Sequence, residues 1–260
     1  MKNNKFVLFA LASLFLFQNC EKENISNDSA SSLKSSAKIA AEIVYKGNVE
    51  QFKNGKVRSW YQEDADGKPL RIALAIDDAA LSSLDENEES IVINLHPKAS
   101  ATPIKHIWMN WNPHGHPPMG VYNLPHFDFH FYLITSQERQ TFVDLDLMDI
   151  NPAPEYIPVG HLGVDPVPQM GKHFIDLSSP EFNGGLFTQT FIYGSNNKKV
   201  IFIEPMVTVA MLNTTTGFTR NIPQPAKWQK SGYYPTKMSI TKTDGATNIV
   251  LEAFVYRTES

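Results

Sequence analysis

Cysteine is nearly absent from this 260-residue sequence, in which Cys20 is the only one. No disulfide can form within the chain, and no later thiol is available for catalysis or for a zinc–thiolate site. Long apolar runs are scarce as well. The run that stands out, Phe6 to Phe17, spans twelve residues, whereas a transmembrane helix needs roughly 20. Basic charge is short too, with 23 Lys and Arg against 27 Asp and Glu. That gives no support to nucleic-acid binding, which calls for a basic face. The sequence carries no GxSxG elbow, no phosphate-cradling glycine loop and no HExxH helix. Sustained helical periodicity, heptads and internal repeats are also missing.

What is present begins with an export signal. Lys2 and Lys5 precede the Phe6–Phe17 run, which has the length of a signal-peptide hydrophobic region, and Cys20 follows it directly. Bacterial lipoprotein signals look like this, although Phe17 and Asn19 depart from the usual Leu and small residue before the cysteine. The expectation is removal of residues 1–19 and lipidation of Cys20, with an ordinary cleaved signal as the alternative. More than one acyl chain makes such anchoring stable. Once Lys2 and Lys5 leave, 21 basic residues face 27 acidic ones, about −6 in all. The lipid, not the folded part, is then the contact with the membrane. The outer membrane is the expected location, with the domain facing the periplasm or the surface. Residues 20–41 (CEKENISNDSASSLKSSAKIAA) contain no aromatic residue and read as a flexible tether.

From residue 42 to 260 the text is strand-like. EIVYKG, KVRSWYQ and LRIALAI alternate β-branched or aromatic residues with polar ones, separated by Asn54-Gly55 and Asp66-Gly67 as turn signals. Asp77 to Leu84 suits a short helix with an Asp N-cap. Strands are expected again over 90–95 and 104–111. A hairpin follows at the tail, Lys237–Lys242 and Asn248–Tyr256 around Asp244-Gly245. The expectation is one mainly antiparallel β domain, a sandwich or barrel, with one or two short helices and long Pro-rich loops. The stretch Asp149 to Met170 reads as one such loop.

Five of the eight histidines fall between His106 and His130. In PHFDFHFY the period is two, so His126, Asp128, His130 and Tyr132 share one strand face while Phe127, Phe129 and Phe131 share the other. Imidazole with carboxylate is the vocabulary of metal binding and acid–base work. The plain alternative is a polar face satisfied by hydrogen bonds. Residues four apart on a strand lie about 13 Å apart at the backbone, so His126 and His130 share one ion only if a bulge bends the strand. His114-Gly115-His116 has the i, i+2 spacing that converges two rings on an extended chain. Glu204, in the otherwise apolar run Val200 to Leu212, needs a cation or strong hydrogen bonds if buried, and Pro205 beside it suggests a bulge or an edge. His173 begins a short strand, HFIDL.

The segments NWNPHGHPPMGVYNLPHFDFHFY, TFIYG and EPM, with RSWYQEDADGKPLRIALAIDDAAL before them and LEAFVYR after, resemble a family of exported bacterial proteins that carry a domain of unknown function. The resemblance covers roughly residues 42–257. It implies a single exported domain and assigns no activity.

The sequence therefore leads to a lipid-anchored β domain with a metal site built from His114, His116, His126, His130 and Glu204, with His173 joining them and Asp128 and Tyr132 supporting. Zinc is the default divalent ion for such a set, with iron, manganese and copper left open. The competing expectation is a non-catalytic module that binds a small ligand or assembles with itself, its histidines forming a polar network. A polysaccharide binder would want exposed aromatic residues, for which Trp108, Trp111, Trp228 and Tyr233 are the candidates.

Overall fold

The computed structural model describes residues 42–243 and 245–260. The export signal, Cys20 and the tether, together with Asp244 of the last hairpin turn, lie outside the described residues. The described residues are mainly antiparallel β, with 49% strand and 15% helix.

Two large sheets form the body. The first carries β1 (Ile43–Phe52), β2 (Gly55–Glu63), β3 (Pro69–Asp77), β14 (Ala246–Glu252), β13 (Lys237–Thr243) and β11 (Gly217–Asn221), in that spatial order. The second is ordered β4 (Glu89–Asn94), β5 (His106–Asn112), β6 (His126–Tyr132), β10 (Lys199–Thr208), β9 (Gln189–Asn196), β8 (Gly171–Asp176) and β7 (His161–Val167). A two-stranded ribbon pairs β12 (Gly232–Tyr234) with β15 (Val255–Arg257).

The alternation read from the sequence explains why the sheets stack. Ile72, Leu74 and Ile76 of β3, Met238 and Ile240 of β13, and Ile249 and Leu251 of β14 point inward from the first sheet. Ile107 and Met109 of β5, and Phe127, Phe129 and Phe131 of β6, point inward from the second. They form one continuous apolar core, the β-sandwich arrangement. Each of those fully buried phenylalanines is worth about 3–5 kcal/mol against truncation to Ala.

Four short α-helices occur among the described residues: α1 (Asp78–Ser82), α2 (Ser136–Gln140), α3 (Leu145–Asp149) and α4 (Val209–Thr214). The first is the helix expected after Asp77, whose carboxylate accepts from the Ala80 amide at 2.7 Å. The other three are single turns with too little length to show a period.

Several expectations are corrected. The apolar run after Val200 leaves the sheet at Thr208, whose hydroxyl caps α4, so only its first part is strand. Pro205 lies on a strand interior to the sheet, not at an edge. The β6–β10 ladder pairs Ile203 with Phe131 and Met206 with Asp128 and lapses between them, where Pro205 has no N–H to give. About a third of the supposed loop 149–170 is the edge strand β7. The closing strand breaks at Ala253, φ 57, into β14 and β15. Trp111 and Trp228 are buried, and Trp108 and Tyr233 pack against apolar clusters, so none of the four is free to stack on a sugar.

Candidate metal centre

β6 is buried on both faces. Its phenylalanine face enters the core between the sheets. The opposite face lies beneath the loops that follow β5, β6 and β8. There, two small apolar clusters flank a polar stripe: Tyr122, Ile175, Phe187, Ile192 and Met206 on one side, and Tyr132, Phe142, Met148, Ile201 and Phe202 on the other.

Register builds the stripe. On β5, Trp108, Asn110 and Asn112 stand opposite His130, Asp128 and His126. On β10, Phe202 and Met206 stand opposite Tyr132 and Asp128, which puts Glu204 beside His130. On β8, His173 pairs with Gly194 of β9, and Gly194 also pairs with Phe202. A Cβ at Gly194 would fall inside the Phe202 ring, so the glycine lets that ring lie flat across β9. His173 can then reach Glu204 over it.

The inner group is His130, His173 and Glu204. The His130 Nε2 atom lies 3.4 Å from Glu204 Oε2 and 3.5 Å from His173 Nε2, and His173 Nε2 lies 3.9 Å from Glu204 Oε2. Metal–ligand bonds of about 2.0–2.1 Å at tetrahedral angles place ligand atoms roughly 3.3–3.4 Å apart. Two of the three edges match that spacing, and the third exceeds it by half an ångström. His130 is fully buried, Glu204 is 1% exposed, and Glu204 Oε2 has no hydrogen-bond partner among the described residues. Burial, then the neighbouring His173, pulls His130 down to about 3, and burial pulls His173 down to about 4. Burial, with the charge of Asp128, pushes Glu204 well above the usual carboxylate range. Both rings are thus held neutral, the form that binds metal, and the carboxyl is held from ionising until a cation arrives.

The outer group is His116, His126 and Asp128. His116 Nδ1 lies 2.7 Å from the Pro117 carbonyl, and His126 Nδ1 lies 2.7 Å from the Leu124 carbonyl. A carbonyl only accepts, so each Nδ1 carries a proton, and Nε2 is the ring atom left to meet a metal ion. Those two Nε2 atoms stand 3.1 Å from Asp128 Oδ2 and Oδ1 respectively. The His126–Asp128 contact is close enough for an ion pair but lies outside hydrogen-bond geometry, and both atoms lack a hydrogen-bond partner among the described residues. The ligand atoms of the three residues all lie within 4.8 Å of one another. A backbone carbonyl on the far ring nitrogen is also the usual support of a metal-bound imidazole. Asn112 donates to Asp128 Oδ2 at 2.8 Å and fixes the carboxylate plane. Burial opposes charge here, yet Asp128 holds His116 up, and His126 and His116 hold Asp128 well below the usual range.

His116, Asp128, His173 and Glu204 all line one cavity of about 710 Å³. Pro117, Val164, Pro166, Met170, Ile175 and Ile192 supply much of its apolar wall. The volume is that of a small-molecule site.

The expected single site is therefore two groups on one cavity. β6 runs without a register shift against either neighbour, so His126 and His130 go to different groups, as their strand separation requires. His114 belongs to neither group. Its side chain is 66% exposed and stands 3.5 Å from Glu86, because Gly115 at φ 69 turns the chain and the HGH segment is not extended. Asp128, expected as support, offers oxygens within the outer group itself. Tyr132 does take a supporting place, stacked on His130 at 5.7 Å and donating to the Met170 carbonyl at 3.0 Å. Sequence reasoning missed Asn112 and Tyr122. The two-residue spacing of Asn110 and Asn112 on β5 was the available signal for the first, and nothing marked the second.

No family model, curated protein or solved structure matches the chain. The site is read from its own chemistry.

Proposed function

We propose that this is an exported metal-binding domain, carried on the bacterial cell envelope by lipid on Cys20, that holds divalent ions in its two His/His/carboxylate groups. The observation that carries the reading is the set of buried ligand atoms without partners, Glu204 Oε2, His126 Nε2 and Asp128 Oδ1, each beside two further ligand atoms. Zinc fits the near-tetrahedral edges of the inner group and its borderline donors. Three protein ligands leave a fourth position, as in catalytic rather than closed structural sites. An ion there would polarise a bound carbonyl or activate water.

A second reading has its own support. The His130–His173 and His116–Asp128 contacts are hydrogen bonds a metal-free polar network would use. Elemental analysis of the full chain, purified without a polyhistidine tag, separates the two. About two equivalents of metal, falling in His126→Ala and in Glu204→Ala, support the metal reading. Metal-free protein that stays folded and resists loading leaves the network. Fractionation tests the anchor: Cys20→Ala should move the protein from membrane to soluble fractions.

A further inference from the structure

One polar atom on the cavity is not used by the metal reading. Tyr122 is 1% exposed and lines the cavity, and its hydroxyl has no hydrogen-bond partner among the described residues. Its ring is held edge-on by His116 at 5.9 Å and by Phe187 at 4.9 Å. Its carbonyl accepts from the His116 amide at 3.0 Å. That approach depends on Gly115, where a Cβ would run into the Tyr122 carbonyl. The phenol is thus rigidly placed next to the outer group. A phenol hydroxyl is an O–H donor at ordinary pH. A buried donor left unpaired is destabilising, which makes it a candidate for pairing with a ligand.

Charge and shape narrow that ligand. A divalent ion in each group brings positive charge that Asp128 and Glu204 neutralise only by half, leaving the cavity wall cationic. Asp165 also lines the cavity but is exposed. Apart from the two groups and their asparagines, the wall is largely apolar, through Val164, Pro166, Met170, Ile175, Ile192 and Met206.

We infer that the cavity binds a carboxylate with an apolar body, one oxygen on a metal ion and another accepting a hydrogen bond from Tyr122. The inference rests on the metal reading above and adds the ligand class to it. Calorimetry on the zinc-loaded full chain tests it, with hexanoate and 4-phenylbutyrate as probes and acetate and hexan-1-ol as controls. Both probes should bind at least about tenfold more tightly than either control, and their ratio tells an aliphatic from an aryl body. Tyr122→Phe should weaken the probes by about 10- to 100-fold, the worth of a hydrogen bond to a charged group. Its zinc content should stay unchanged, and its ligand-free melting temperature should equal or exceed the parent's. Equal binding of hexan-1-ol, or unchanged affinity in Tyr122→Phe, overturns the inference while leaving the metal sites standing. Failure to take up zinc overturns the metal reading and this inference with it.

Discussion

His126 Nε2 and Asp128 Oδ1 lie 3.1 Å apart on the same face of β6 and yet share no hydrogen bond. His126 Nδ1 donates to the Leu124 carbonyl, which leaves Nε2 as the ring atom facing the carboxylate. Two such atoms buried side by side without a hydrogen bond are stabilised by a cation between them. Asp128→Asn keeps the shape and removes the charge. It should lower bound metal from about two equivalents to about one, read by elemental analysis, with the inner group still loaded. Loss of both equivalents, or of neither, would contradict two separable groups.

Glu204→Gln makes the matching test of the inner group. Burial holds the Glu204 carboxyl well above its usual range, so the metal-free protein carries it protonated. Glutamine imitates that form. Denaturant unfolding of chelated protein should therefore differ by less than about 1 kcal/mol between parent and variant. Metal affinity of the inner group should fall by more than the 10- to 100-fold typical of losing a supporting partner alone. A variant that loses stability but keeps its metal would make Glu204 structural.

Acid sensitivity of the chelated protein follows from the same burial. His130 and His173 titrate at about 3 and about 4 in the fold, against 6.5 when unfolded. The unfolded chain therefore takes up protons first as the pH falls. The contribution of the two rings is present in full above pH 6.5 and is lost on the way down to 4 and 3. Glu204 has the opposite sign, contributing in full below 4.5 and losing that as the pH rises through the same window, so the two rings are read in the Glu204→Gln background. Urea unfolding of chelated Glu204→Gln at pH 6.5 and pH 5 should show a loss of about 2–4 kcal/mol. His173→Gln should roughly halve it. A flat profile would mean that the rings are already charged in the fold.

How much of this was legible in the sequence depended on range. The two faces of β6 were readable because a period of two needs only seven residues, and the 13 Å between His126 and His130 already required a bulge or two sites. Glu204 was readable as a carboxylate in apolar company. His173 was named for the site, but its pairing with Glu204 was not readable, because their meeting depends on the β8–β9–β10 register and on the space left by Gly194. His114 was misplaced because HGH was taken as extended, while Gly115 is left-handed. The export signal and Cys20 were read from residues 1–20 alone, outside the described residues.

Gly194 offers the sharpest test of how the sheet builds the inner group. It registers with His173 on β8 and with Phe202 on β10, and a side chain there would collide with the Phe202 ring. That ring lies 4.8 Å from His130 and 5.1 Å from His173, so displacing it displaces both imidazoles. Gly194→Ala should cost about 1–3 kcal/mol, the usual range for overpacking, and should remove the inner equivalent of metal while the outer one remains. Gly217→Ala is the control, since the nearest atom its Cβ would meet is the Ile240 carbonyl oxygen at 4.0 Å; it should leave both equivalents bound. If Gly194→Ala destabilises the fold but keeps the full metal content, Phe202 does not set the ring positions, and the inner group owes its geometry to the register of β6, β8 and β10.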